Sequence, residues 1–137
     1  MTRSTSRTLE TVVLVEDDAD IRIVATAALE SIGGFRVIAC RSGEEALRTI
    51  PQVRPDLVLL DVVMPGLDGP QTLTQLAEAY DLSETAVVFM TGRVKSEEIK
   101  EYLALGAAGV VTKPFDPMGL ADQVQGMWDR HLHSPGS

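Results

Sequence analysis

The sequence predicts a doubly wound α/β domain, in which helices cover both faces of a parallel β-sheet. Five short apolar runs rich in β-branched residues recur along the chain, and polar residues rarely interrupt them. Such runs are typical of strands that are buried on both faces of a parallel sheet. Segments with helical spacing separate the runs, so the order is strand then helix, five times over.

The predicted elements follow one another without a long linker. The strands are expected at residues 11–15, 35–39, 57–60, 86–90 and 109–111. In the first helix, over 21–32, a stripe at the 3.6-residue period predicts the buried face: Ile21, Val24, Ala25, Ala28, Leu29 and Ile32. Ser42 with Glu45 predicts a capping box at the second helix. Asp116 followed by Pro117 predicts the N-cap and first turn of the last helix.

Length and composition are those of one soluble domain. The 137 residues are expected to form a domain over 10–131, with loose tails at 1–9 and 132–137. Cys40 is the only cysteine, which excludes an internal disulfide and fits a reducing cytosol. No leader-like or membrane-spanning apolar run occurs, so the protein is predicted to be cytoplasmic. The net charge of −8 disfavours direct binding to nucleic acid or to a membrane surface.

Polar side chains follow four of the five predicted strands. Glu16 and Asp17 follow the first strand, Asp61 follows the third, Thr91 ends the fourth, and Lys113 comes just after the fifth. In open α/β sheets, ligands bind beyond the carboxyl ends of the strands. With the strand order 2-1-3-4-5, these groups are expected to meet at one edge of the sheet. Each of these residues also has a purely structural interpretation, as a helix cap, a solvated turn or a surface charge.

Three carboxylates in one pocket require a compensating charge. At about 4 Å, each pair repels by roughly 4 kcal/mol at an effective dielectric constant near 20. Either the pKa values rise or a divalent cation binds, and hard oxygen ligands suit Mg²⁺. His131 and His133 are expected in the carboxyl-terminal tail, which disfavours zinc and a catalytic triad. A carboxylate nucleophile beside Mg²⁺, a lysine and a hydroxyl indicates phosphoryl transfer to Asp61.

Four motifs in this order resemble the receiver domain of two-component response regulators: VLVEDD, LLDVVMPGLDG, FMTG and GAAGVVTKPF. The resemblance covers about residues 10–131. It implies a flavodoxin-like, three-layer (βα)5 fold with strand order 2-1-3-4-5. It also implies that a sensor histidine kinase or a histidine phosphotransfer protein donates a phosphoryl group to this chain.

The resemblance assigns a role to each residue that matches a motif. Asp61 would be the phosphoacceptor, Lys113 would contact the phosphoryl group, and Thr91 would move to hydrogen-bond it. The ligands of Mg²⁺ would be Glu16, Asp17, Asp61 and the backbone carbonyl of Val63. Val63 and Arg93 would also influence the water that hydrolyses the phosphoryl group, so an apolar Val63 predicts slow self-dephosphorylation.

One position departs from the family pattern. Three residues before the lysine the family commonly has Tyr or Phe, whereas this chain has Val110, which has no ring to turn inward. We therefore expect activation to be transmitted by backbone shifts of residues 91–95 and of the helix after them. Tyr102 is a possible substitute ring, although helix packing is the simpler interpretation. Lys95 and Lys100, with Arg93, put positive charge near that helix, which is the expected docking face for a partner.

Several functions remain open at this stage. The first is a stand-alone receiver, monomeric or weakly dimeric, that acts by protein–protein contact or by passing its phosphoryl group on, and is not an enzyme. The Met1 start favours a complete small protein, while a fragment of a larger regulator or hybrid kinase is an alternative. A Mg²⁺-dependent phosphatase would need a second aspartate where Val63 stands. A nucleotide- or flavin-binding domain would need a glycine-rich loop after the first strand.

Overall fold

The computed structural model describes residues 7–92 and 95–132 and contains one five-stranded parallel sheet in the order β2-β1-β3-β4-β5. This confirms the predicted fold class and strand order. The strands are β1 (Thr11–Val15), β2 (Arg36–Cys40), β3 (Leu57–Asp61), β4 (Ala86–Thr91) and β5 (Gly109–Thr112). The helices are α1 (Ala19–Ser31), α2 (Gly43–Val53), α3 (Gly69–Ala79), α4 (Ser96–Ala104) and α5 (Leu120–Leu132). A 3-10 turn, Leu82–Glu84, precedes β4.

The sheet separates two apolar cores. One face packs against α1 and α5, with Leu29 and Trp128 among the buried residues. The opposite face packs against α2, α3 and α4, with Ile50 and Leu73 among its buried residues. Every residue of β3 and β4 is buried, which explains why their sequences lack the alternation of a half-exposed strand.

Four strands, β2 to β5, end one residue later than predicted, and β2 also begins one residue later, at Arg36. The ladder between β3 and β4 continues to the pair of Asp61 and Met90, and the ladder between β4 and β5 continues to the pair of Thr91 and Thr112. Asp61 and Thr91 are therefore held by sheet hydrogen bonding and are not parts of loops.

Three of the six positions in the predicted stripe of α1 are not buried: Ile21 is half-buried, and Val24 and Ile32 are exposed. Ala25, Ala28 and Leu29 are buried, but the side chains of Val24 and Ile32 are 44% and 47% exposed. The buried arc is narrower than the stripe because α1 covers one face near the edge of the sheet, and Ile32 lies past the end of the helix.

Two helix starts differ from the predictions in their capping groups. Ser42 accepts a hydrogen bond from the Glu45 backbone N–H as expected, but the Glu45 carboxylate accepts from Arg41, one residue too early for a reciprocal box. Asp116 does not cap α5: its carboxylate accepts from the Met118 N–H and closes a turn. The carbonyl of Gly119 accepts the first hydrogen bond of α5, from Gln123, so the helix begins three residues later than predicted.

Both ends of the described chain are packed beyond the expected boundaries. Leu9 belongs to the core, and Arg7 lies 3.3 Å from the Asp56 carboxylate and 5.1 Å above the ring of Trp128. The expectation that His131 belongs to a tail is wrong because α5 continues past it, to Leu132. The other histidine of that prediction, His133, lies outside the described residues. Within 7–92 and 95–132, every helix is too short or too polar to span a bilayer.

Candidate functional site

The loop that follows β1, here called the acidic loop and comprising Glu16, Asp17 and Asp18, lies at the carboxyl end of the sheet. Glu16 is fully buried, and its Oε2 accepts a hydrogen bond from the backbone N–H of Asp18 at 3.0 Å. Asp18 is the N-cap of α1, since its carboxylate accepts from the backbone N–H groups of Asp20 and Ile21. Asp17 is exposed between them. Two acids of the loop are therefore fixed by local hydrogen bonds, and the third faces solvent.

Asp61 and Lys113 meet the acidic loop at the end of β3. The Asp61 side chain is buried, with the whole residue only 3% exposed. The ammonium nitrogen of Lys113 lies 3.1 Å from Asp61 Oδ1 and 2.9 Å from Glu16 Oε1. One lysine from the far side of the sheet thus bridges carboxylates that follow two neighbouring strands.

The pKa values of this pair follow from burial and from each other's charge. The pKa of Asp61 is raised to about 6: burial is the largest cause, the hydrogen bond from Lys113 opposes it, and the Glu16 carboxylate adds to the rise. Burial alone would lower the pKa of Lys113, but the carboxylates of Glu16 and Asp61 outweigh burial and hold it above its ordinary value. The ammonium therefore stays charged, whereas the Asp61 carboxylate is costly without a further cation.

The acids fit a hard divalent cation. Glu16, Asp17 and Asp61 each offer an oxygen, and these oxygens lie within 4.8 Å of one another. Three carboxylates and one ammonium carry a formal charge of −2. Among the described residues, the buried Oε1 of Glu16 lies 2.9 Å from the Lys113 ammonium and has no other donor. A cation with oxygen ligands would satisfy both the charge and this oxygen.

The remaining predicted residues surround this cluster at different depths. Thr91 is buried at the end of β4, and its carbonyl accepts from the Lys113 N–H at 2.9 Å, which ties the lysine to the sheet. Val63, two residues after Asp61, is 71% exposed. Lys95 and Lys100 are exposed at the start and along the outside of α4. Arg93 lies outside the described residues.

Tyr102 packs where the family pattern would place a ring on β5. Val110 is aligned with Phe89 of the neighbouring strand. The ring of Tyr102 contacts that same Phe89 edge-to-face, with 5.0 Å between ring centroids. All of α4 is described, and Tyr102 is its one buried residue. Tyr102 is therefore the anchor of α4 on the sheet, as the packing interpretation predicts.

Sequence reasoning missed two residues that shape the site. A Cβ atom on Gly69, at the start of α3, would lie 2.6 Å from the Asp61 carbonyl oxygen, so glycine is required for this close approach. Arg22 of α1 hydrogen-bonds the backbone of the acidic loop. Glycine has a low helix propensity, so its presence at the start of α3 could have indicated that Gly69 has a packing role. No sequence pattern indicates the second, because the contact depends on a rotamer.

The chain matches a known protein family over most of its length. The model of the response regulator receiver domain matches residues 12–125. The transcriptional regulatory protein CseB of Streptomyces coelicolor is 37% identical over 125 residues, which cover 91% of this chain. The phosphate regulon regulatory protein PhoB of Escherichia coli is 31% identical over 119 residues, which cover 87% of this chain. The aligned region spans 52% of the length of each of these relatives.

Solved structures agree with the sequence matches. The chemotaxis response regulator CheY4 of Vibrio cholerae superposes with a TM-score of 0.81 at 28% identity, covering 88% of this chain and 99% of that one. The receiver domain of DrrB superposes with a TM-score of 0.76 at 27% identity, covering 90% of this chain and all of that one. With a family model that matches most of its length, this chain belongs to the response regulator receiver domains of two-component signalling.

Proposed function

We propose that this receiver accepts a phosphoryl group on Asp61 from a phosphohistidine of a sensor kinase or a phosphotransfer protein. The observation that carries the proposal is the position of the Lys113 ammonium, between the carboxylates of Asp61 and Glu16. The ammonium lies 3.1 Å from the carboxylate that would attack phosphorus, where it can pair with the oxygens of an incoming phosphoryl group.

The reaction needs a rigid nucleophile and a way to neutralise charge. An oxygen of Asp61 attacks phosphorus while the bond from phosphorus to the donor histidine nitrogen breaks, and that nitrogen keeps the electron pair. Sheet hydrogen bonds hold Asp61 in place, and Lys113 pairs with the negative charge of the phosphoryl oxygens. Glu16, Asp17, Asp61 and the carbonyl of Val63 are the proposed ligands of Mg²⁺, which when bound would neutralise further phosphoryl charge.

An apolar groove beside the site supports a protein as the phosphoryl donor. Ile21 and Val24 of α1 line the groove with Pro114, Phe115 and Pro117, directly after Lys113 in sequence. An apolar surface formed by α1 and by the segment after Lys113 suits a docked helix, and a small-molecule donor would not need it. We propose this groove for the donor and the basic residues Lys95 and Lys100 on α4 for a downstream partner.

Output is proposed to occur through contact with another protein or through onward transfer of the phosphoryl group. The aligned region covers only 52% of the relatives named as transcriptional regulators, so membership in a larger regulator is an alternative to a stand-alone receiver. With Val110 in place of a ring, the proposed signal passes through the backbone of residues 91–95 and α4. Identical chemical shifts across 91–105 in the free and phosphorylated forms would contradict that path.

The proposed chemistry is tested by incubating the protein with acetyl phosphate and Mg²⁺ and measuring its intact mass. We expect the wild type to gain one phosphoryl group and Asp61→Asn to gain none. Asp122→Asn, the same change at an exposed position of α5, is the matched control and should gain it. A phosphorylated Asp61→Asn protein, or an unmodified wild type, would refute the proposal. Turnover of a small phosphate ester would instead favour the phosphatase alternative. Val63, an exposed apolar residue where such an enzyme would need a second aspartate, argues against that alternative.

A further inference from the structure

We propose that Arg22 is a positioning residue, which sets the acidic loop in the geometry that the loop needs to bind its cation. This inference rests on the proposed Mg²⁺-dependent function and adds a residue to it that is neither a metal ligand nor in contact with the phosphoryl group.

Arg22 binds every carbonyl group of the acidic loop. Its Nη1 donates to the carbonyl oxygen of Glu16 at 2.8 Å and to that of Asp17 at 3.3 Å. Its backbone N–H donates to the carbonyl oxygen of Asp18 at 2.9 Å. The last of these is the first i→i−4 hydrogen bond of α1, which any residue could make, whereas the bonds to Glu16 and Asp17 belong to the Arg22 side chain and fix the loop relative to the first turn of α1.

The carboxylates of Glu16 and Asp18 are held by backbone N–H groups. Glu16 Oε2 accepts from the Asp18 N–H, and the Asp18 carboxylate caps α1. The backbone carbonyl of Glu16 is bound to Arg22, and its Oε2 is bound within the loop. Its Oε1 is therefore left for Lys113 and for a cation. Groups that orient metal ligands in this way are commonly worth a factor of about 10 to 100 in metal affinity.

Positioning and simple electrostatics predict opposite signs for the loss of Arg22. Removing a positive charge near a cluster of carboxylates makes the cluster more negative, so electrostatics alone would tighten Mg²⁺ binding. Removing the hydrogen bonds to the Glu16 and Asp17 carbonyls frees the loop, so positioning predicts weaker binding. The direction of the change therefore distinguishes the two.

The experiment is calorimetric titration of the metal-free protein with magnesium chloride, for the wild type, Arg22→Gln, Arg22→Lys and Arg48→Gln. Arg48 is exposed on α2 and provides the same change of charge away from the loop. We expect Arg22→Gln to bind Mg²⁺ about tenfold more weakly or worse, and Arg48→Gln to stay within about twofold of the wild type. Arg22→Lys should lie between them, because lysine keeps the charge but its shorter side chain does not place a donor where Nη1 lies.

Thermal unfolding in the presence of a chelator separates positioning from folding. If Arg22→Gln is not folded at the titration temperature, Arg22→Lys takes its place with the same criterion of weaker binding. Equal or tighter Mg²⁺ binding by the Arg22 variant would overturn the proposal, as would an equal loss in Arg48→Gln. A wild type that binds no Mg²⁺ would overturn the metal site and this proposal with it. The phosphorylation assay above tests the proposed function independently, so the two failures can be told apart.

Discussion

Replacing Asp61 by asparagine should stabilise the metal-free protein at neutral pH, although it abolishes the phosphoacceptor. The pKa of Asp61 is raised from 3.8 to about 6 in the folded protein, mainly by burial. The folded state therefore holds this proton more tightly than the unfolded chain does. Wild-type stability is then lost as the pH rises from about 4 to about 6, and the loss is complete above that range. Asparagine resembles the protonated carboxyl and does not ionise, so the variant does not lose this stability as the pH rises.

The magnitude follows from the size of the shift. A rise of about 2 pKa units at about 1.36 kcal/mol per unit corresponds to about 3 kcal/mol of unfolding free energy. For a domain of this size, that should move the urea midpoint upward by roughly 1 to 3 M. Because Mg²⁺ is expected to bind the wild type more tightly than the variant, Mg²⁺ at ten times its Kd should restore about 1.4 kcal/mol to the wild type and narrow the difference.

The assay is urea unfolding followed by circular dichroism, with a chelator present, at about pH 4 and about pH 7.5. Asp122→Asn is again the control, since it makes the same change at an exposed position. We expect the Asp61→Asn advantage at the higher pH and little or none at the lower. An equal advantage at both values, or none at the higher one, would refute the link between stability and the ionisation of Asp61.

Three further predictions concern the surroundings of the acceptor. Gly69→Ala should destabilise the protein by about 1–3 kcal/mol and slow phosphorylation by acetyl phosphate, because the new methyl group would overlap the Asp61 carbonyl. Gly126→Ala, in the middle of α5, would place its methyl group in ordinary contact with the Arg130 side chain, at 3.5 Å, and should be neutral or stabilising by up to about 1 kcal/mol. Tyr102→Leu should lose the ring contact that anchors α4, at a cost of about 0.5–1.5 kcal/mol beyond lost burial, and amide hydrogen exchange should rise in α4 first. Val63→Asn should shorten the phosphoryl half-life, measured by loss of the added mass over time; an unchanged half-life would show that this side chain does not act on the attacking water.

Much of the fold could be predicted because burial leaves a periodic record in sequence. The run at 57–60 lacks polar residues because β3 is covered on both faces, and the parallel order brings Asp61, Thr91 and Lys113 to one edge. Periodicity fails where burial is partial. Val24 has the spacing of a core residue but lines a groove at the surface, and residue type alone does not distinguish the two.

The detailed contacts of the site were beyond prediction because they depend on side-chain rotamers. Spacing places Glu16 near Lys113 but does not show that one oxygen of Glu16 is bound within its own loop and the other is not. The reach of Arg22 back to the preceding loop is likewise a matter of torsion angles. The start of α5 was misplaced because Asp116 and Pro117 form a good capping sequence locally, while Gly119 is the residue whose carbonyl begins the helix.

The position of Trp128 determines what the intrinsic fluorescence of this protein can report. It is the only tryptophan of the chain, it is buried in the core between α5 and the sheet, and the Arg7 guanidinium covers its ring. Arg7 also contacts Asp56, just before β3, so the indole lies towards the amino ends of the strands, away from Asp61. Its emission should follow unfolding closely and change little when the acceptor is modified, so an optical readout of signalling would need a second fluorophore placed near α4.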